Sequence, residues 1–125
     1  MQKYKNKKVT VNGLSFDSKK EANRYIKLLE KQQNGEIRGL ETQVKYILIP
    51  AQYEPDRVGV RGGKIKGKCI ERECAYIADF RYIDNSTGET VVEDVKGYRM
   101  KGAYNLFTVK RKLMFYVHGI RIKEV

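Results

Sequence analysis

Alternating and apolar runs predict four core strands, and two helical stripes separate them. Thr90-Val91-Val92-Glu93-Asp94-Val95-Lys96-Gly97 is rich in β-branched residues and closed by a glycine, which reads as a strand. Ala75-Tyr76-Ile77-Ala78-Asp79-Phe80-Arg81-Tyr82 reads as another. Between them Asn85-Ser86-Thr87-Gly88-Glu89 is made of turn formers, so the two runs should pair as a hairpin. Upstream, Ile37 to Leu40 reads as a short extended link. Gln43 to Ile49, stopped by Pro50, reads as a strand whose nearly all-apolar end suits a position covered on both faces. Ile120-Arg121-Ile122-Lys123-Glu124-Val125 alternates and reads as a closing strand.

The first helix is expected from Asp17-Ser18 to about Asn34. Ser18 is its N-cap, Glu21 completes a capping box, and Gly35 stops it. Ala22, Tyr25, Ile26, Leu28 and Leu29 form its apolar stripe. The second runs from about Ala103 to Val117, with Leu106, Val109, Leu113, Met114 and Val117 roughly on one face. Before both, Lys8 to Val11, Asn12-Gly13 and Leu14 to Phe16 read as a small hairpin, Asn-Gly being the strongest two-residue turn signal.

This order predicts one α/β (α+β) domain over residues 1–125: a central mixed four-stranded sheet flanked by helices, with an N-terminal hairpin. Tight links make the first three core strands antiparallel neighbours. A crossover through the second helix allows the last to join in parallel. Residues 51–74 interrupt the pattern with Pro55, Gly59, Gly62, Gly63 and Gly67, and read as an insertion, a long basic hairpin or loop.

Composition narrows the partners. The 125 residues suit one core, and 41% hydrophobic content suits a globular chain. No apolar run approaches a membrane span, and no apolar segment follows Met1-Gln2-Lys3-Tyr4-Lys5, so neither a membrane partner nor a signal peptide is expected and the location is expected to be cytoplasmic. Cys69 and Cys74 read as free thiols, the sole histidine, His118, lies far from them and reads as structural, and no organic cofactor is implied.

The formal charge of +11, from 26 basic against 15 acidic residues, points to a polyanion, in the first place nucleic acid. Lys3, Lys5, Lys7 and Lys8 make a basic arm with Tyr4 among them. Arg57, Arg61, Lys64, Lys66 and Lys68 charge the insertion, where glycines suit close approach to a phosphate backbone and a mobile loop is the plainer alternative. Arg99 and Lys101 follow the Gly97 stop. Lys110 on the second helix either reaches a phosphate or decorates a solvated face.

Alternation places Asp94 and Lys96 on one face of their strand, and Glu93 and Val95 on the other. Hairpin pairing brings Asp79 towards Asp94. Cleaving a phosphodiester takes a divalent ion held by hard oxygens and a group that orients the water. Asp79, Asp94 and the Val95 carbonyl can supply the oxygens. Lys96 can position the water or stabilise developing charge. Glu93 is read as structural, paired with a basic residue behind the sheet. Gln43 is either a contact to the water or a phosphate, or simply a polar strand start.

Asp79 followed by Asp94-x-Lys96 resembles the PD-(D/E)xK nuclease signature, and the helix-strand-strand-strand-helix-strand order is similar to that superfamily's restriction-endonuclease-like core (αβββαβ). The Lys-x-Lys-Tyr-x-Asn-Lys opening, Phe16-Asp17-Ser18-Lys19-Lys20-Glu21-Ala22 and Tyr76-Ile77-Ala78-Asp79-Phe80 resemble small phage- and prophage-encoded members often likened to Holliday junction resolvases. Ala78 stands where the superfamily's name has a proline. The resemblance implies a Mg²⁺-dependent endodeoxyribonuclease, Mn²⁺ able to substitute, acting on branched DNA as a homodimer in a bacterial host cell. It also implies a metal-side role for Glu21, which spacing alone assigns to the helix cap. The competing reading is a catalytically inactive DNA-binding accessory module of a phage replication or packaging complex.

Overall fold

The computed structural model describes residues 8–96 and 101–125, the side chains of 101–104 excepted. It is a mixed α/β fold built on a four-stranded sheet. β1 (Val9–Val11) and β2 (Leu14–Phe16) pair antiparallel around Asn12 and Gly13, whose φ values of 51° and 79° are those of the mirror-image turn that Asn-Gly favours. α1 (Lys19–Gln33) follows. Its N-cap Ser18 accepts from the Glu21 N–H at 3.1 Å, and Gly35 at φ 77° ends it.

β3 (Ile37–Ile49) then crosses the whole molecule, so the expected link and strand form one element of 13 residues. They are joined through an irregularity between Arg38 and Glu41, where Gly39 takes φ 66°. β8 (Cys74–Asp84) pairs antiparallel with β3, and β9 (Thr90–Asp94) pairs antiparallel with β8 across the expected turn. After α2 (Lys101–His118), β10 (Lys123–Glu124) adds to β9 in parallel, giving the order β10-β9-β8-β3. β10 is shorter than its alternation suggests: the Gly119 and Ile120 N–H groups still bond back to the Phe115 and Met114 carbonyls at the end of α2.

Between β3 and β8 the insertion forms four short strands. β4 (Gln52–Tyr53) pairs with β7 (Cys69–Glu71), and β5 (Arg57–Val58) with β6 (Lys64–Ile65), in two antiparallel tiers. Of the two readings of residues 51–74, the hairpin is the one observed.

The core has two halves. Phe16, Ala22, Tyr25, Leu28, Ile37, Phe80, Tyr82 and Val95 pack where α1 meets the sheet. Leu48, Tyr76, Ala78, Val92, Phe107, Met114 and Ile122 pack where α2 meets it. Each helix uses less of its apolar stripe than periodicity suggests. Ile26 stays exposed on α1. On α2, Phe107 and Met114 turn inward while Leu106, Val109 and Val117 face outward. No helix among the described residues is long and apolar enough to cross a membrane.

Candidate active site where β8, β9 and α1 meet

Asp79 and Asp94 sit on the seam between the two core halves. Ala78 belongs to the α2 half and Phe80 to the α1 half, while Asp94 lies between Val92 of the α2 half and Val95 of the α1 half. Phe80 pairs with Glu93, so the next step along both strands sets Asp79 beside Asp94. The Asp79 carboxylate accepts a 2.8 Å hydrogen bond from the Val95 N–H. Asp94 is 5% exposed, and its Oδ1 accepts from the Tyr76 hydroxyl at 2.9 Å. Each acid is therefore oriented by a donor from its neighbouring strand.

α1 adds the third acid. The Glu21 carboxyl is pushed up to about 7, first by burial and then by the Asp79 and Asp17 carboxylates, with Asp94 contributing less. Its oxygen accepts from the Asp17 N–H, which acts in the opposite direction. Glu21 thus joins the field of both strand acids, while Ser18 caps its N–H and its carboxylate also serves the helix start through the Asp17 N–H. Among the described residues no three His, Cys, Asp or Glu side chains converge tightly enough to hold an ion by themselves.

Lys96 lies just past β9. Its Nζ is 3.2 Å from Glu124 Oε1, and Glu124 is the register partner of Asp94 on β10. Residues in register on adjacent strands carry side chains on one face, so the ion pair with Glu124 draws the amine of Lys96, itself beyond β9, to the Asp94 side. The backbone here is held twice: the Lys96 N–H donates to the Val125 carbonyl at 2.7 Å, and the Lys20 ammonium donates to the Lys96 carbonyl.

Gln43 occupies the step of β3 beside Asp79, between the pairs Thr42–Phe80 and Val44–Ala78. Its φ is 52°, left-handed and sparsely populated for a side-chain-bearing residue. Such a conformation costs of order 1–3 kcal/mol and is found preferentially at functional positions. Lys110 shares a cleft of about 360 Å³ with Asp94, Tyr76, Ile77, Leu106 and Phe107. Lys8 is exposed beside β1, and Arg57, Arg61, Lys64, Lys66 and Lys68 are all exposed on the insertion. Lys3, Tyr4, Lys5, Lys7, Arg99 and the Lys101 side chain lie outside the described residues.

Behind the acids, Glu93 is fully buried and held by both arms of the Arg24 guanidinium, at 2.8 and 2.7 Å, and by the Tyr82 hydroxyl. This is the basic partner behind the sheet that spacing implied. Burial, then the Glu93 hydrogen bond, push the Tyr82 hydroxyl up. The charged bond to Glu93 raises Arg24 further against burial. His118 sits behind β3, its Nε2 2.8 Å from the Ile47 carbonyl and its ring edge-on to Tyr46, a structural placement.

Sequence reasoning missed Tyr76, Arg24 and Glu124. Tyr76 carried a usable signal, because a tyrosine in a buried strand needs a partner for its hydroxyl. Arg24 carried one as well, being the cation one turn after Glu21 on the same helix face. Nothing local marks Glu124, which reaches the site only through the crossover.

The fold and site define a mixed α/β protein with two adjacent carboxylates, Asp79 and Asp94, at a strand pair, in a strongly basic chain. The chain belongs to the DUF1064 family, described as proteins of unknown function, whose profile matches residues 1–123. No curated protein and no solved structure matches it.

Proposed function

We propose that this protein is a Mg²⁺-dependent endodeoxyribonuclease of the PD-(D/E)xK type, cutting branched DNA as a homodimer in the cytoplasm of a phage- or prophage-bearing bacterium. The observation that carries this reading is the meeting of Asp79 and Asp94 through the Val95 N–H, with Glu21 in their field and Lys96 alongside. The element order α1-β3-β8-β9-α2-β10 supports a restriction-endonuclease-like core once the insertion is set aside. The formal charge of +11 supports a polyanionic substrate.

The donor set fits the metal. Mg²⁺ prefers hard oxygens and is commonly held by one or two carboxylates, keeping several waters and using substrate phosphate oxygens, so a complete protein cage is not required. Asp79, Asp94 and the Val95 carbonyl would hold it, with Glu21 directly or through water; Mn²⁺ suits the same set. When bound, the ion supplies charge neutralisation at the phosphate and a more acidic water.

The chain's own groups do the rest. Tyr76 and the Val95 N–H fix the two carboxylates before substrate arrives, which lowers the reorganisation needed in the reaction. Glu21, pushed up by burial and by the Asp79 and Asp17 carboxylates, is the acid whose charge a bound cation would relieve most. Lys96 orients that water or meets the charge developing on the phosphate, and Glu124 keeps its ammonium at the site.

A second reading rests on one observation. The formal charge of +11 serves an inactive DNA-binding accessory module as well as it serves an enzyme. A synthetic four-way junction and a matched linear duplex, incubated with Mg²⁺, Mn²⁺ or chelator, separate the two. Metal-dependent junction cutting that is absent in Asp94→Ala is the expected result. Equal cutting of both substrates would remove branch selectivity. Binding without cutting in either metal would favour the accessory module.

A further inference from the structure

The insertion between β3 and β8 contributes nothing to either half of the core, yet it is built in detail. Its two tiers of strands extend the β3–β8 hairpin outward as a two-stranded ribbon. The Glu54 N–H donates to the Lys68 carbonyl at 2.8 Å, and Asp56 accepts from the Gly67 N–H at 2.8 Å and pairs with Lys64 at 3.2 Å. At the tip the Gly59 N–H donates to the Gly63 carbonyl at 2.7 Å, and the Gly62 N–H to the Gly59 carbonyl at 2.9 Å. Any Cβ on Gly67 would lie 1.7 Å from the Glu54 carbonyl oxygen, so the neck admits only glycine there.

Its chemistry divides by position. From 57 to 68 the ribbon carries Arg57, Arg61, Lys64, Lys66 and Lys68 and no acid. At its far end Val60 is fully exposed at 107%, and Val58 is 75% exposed. Two valines offer far less than the roughly 800 Å² per partner that a specific protein interface buries, so this cation-flanked tip is a poor fit to another protein. It fits a duplex groove, where phosphates line both rims and the stacking faces between base pairs can receive an apolar wedge. Val60 stands eleven residues beyond Ile49, so the ribbon reaches at most about 36 Å at about 3.3 Å per residue. That exceeds the roughly 8 Å depth of either groove of B-DNA.

We infer that the ribbon is a DNA-grasping arm: its tip enters a groove of a duplex, Arg57, Arg61, Lys64 and Lys66 hold the flanking phosphates, and Val60 inserts between base pairs and opens the stack. This rests on the DNA reading above and adds where the duplex is held and how it is deformed. Apolar wedges that unstack a step kink the duplex by roughly 20–90°.

The test avoids cleavage. Full-length Asp94→Asn is mixed with duplexes carrying 2-aminopurine at successive positions and, separately, an end-to-end fluorescence-transfer pair. The expected result is a 2-aminopurine rise at one step and a shortened end-to-end distance. Val60→Ser should abolish both and change Kd by less than about tenfold, since one side chain is trimmed while the phosphate contacts remain. Arg61→Gln with Lys64→Gln should lower the slope of log K against log salt by about two. Binding with no rise, or a full rise in Val60→Ser, would overturn the wedge and leave the nuclease reading to the junction assay. An unchanged salt slope in the double variant would overturn the phosphate contacts. No DNA binding at all would overturn both readings. Val60, Arg61 and Lys64 are exposed arm positions, so thermal unfolding unaltered from that of the Asp94→Asn parent checks the fold.

Discussion

The Val95 N–H donates to the Asp79 carboxylate at 2.8 Å, tying an acid of β8 to the main chain one residue past Asp94. An amide can still accept that bond, so Asp79→Asn should keep the geometry while removing the charge. Cleavage is expected to fall at least about 10³-fold, as for loss of a group central to transition-state electrostatics. DNA binding should hold or tighten, since a negative charge near phosphate is gone. Asp79→Ala loses the bond as well and should unfold about 1–2 kcal/mol more easily in urea. Full activity in either variant would reject the site.

Tyr76 donates to Asp94 at 2.9 Å from a buried position. Tyr76→Phe keeps the packing against Phe107 and removes one hydrogen bond, worth about 1 kcal/mol. The expected loss is about fivefold in kcat with KM nearly constant, because the hydroxyl orients a carboxylate and does not touch DNA. An unaltered kcat would show that Asp94 needs no orienting partner.

The Arg24–Glu93 pair is bidentate and its carboxylate is fully buried. Removing one partner of such a pair leaves an unpaired buried charge, typically costing 3–5 kcal/mol. Arg24→Ala should therefore destabilise by about that much in chemical denaturation. It should do so more than Lys20→Ala, whose ammonium is on the surface. A loss below about 1 kcal/mol would mean that Glu93 finds another partner or takes up a proton.

The same pair sets an acid limit. Burial alone would raise the Glu93 carboxyl, but hydrogen bonds from Arg24 and Tyr82 outweigh it and hold it below its ordinary 4.5. Between the folded and unfolded values the unfolded chain binds more protons, so stability rises with pH there. The contribution is complete above about 4.5 and is lost as pH falls through the folded value. Glu93→Gln should flatten the acid limb of stability against pH, as urea midpoints at pH 3 to 6 would show.

Gly67→Ala tests the ribbon as a structure. The added methyl would meet the Glu54 carbonyl oxygen at 1.7 Å, so the β4–β7 tier must open. Because the ribbon is exposed, the global melting temperature should stay within a few degrees, while limited proteolysis between 51 and 74 speeds up several-fold. Unchanged protease resistance would mean that the neck has room to relax.

Much of the fold was legible because its signals are local. The Asn12-Gly13 turn, the Ser18 cap and the 85–89 link each rest on the conformational preferences of a few neighbouring residues. The strand pairing that sets Asp79 beside Asp94 follows from the short link and a side-chain period of two. The stripes of α1 and α2 were legible only in part. Periodicity marks every apolar residue near a face, but Ile26, Leu106 and Val109 lie beyond the sheet's coverage. β3 ran longer than its apolar run because backbone pairing with β8 continues through polar positions.

By itself the sequence determined the order of the core elements, the antiparallel β8–β9 hairpin and the basic character of the chain. These depend on interactions between residues close along the chain. Only the tertiary structure decided that Glu21 enters the field of the two strand acids, that Tyr76 and the Val95 N–H orient them, that Arg24 neutralises Glu93, that Glu124 meets Lys96, and that residues 51–74 stand out as a ribbon with Val60 at its end. Those relationships join distant segments through distance-dependent electrostatics and packing, and nothing in a residue's neighbours along the chain encodes which remote group will neutralise or orient it.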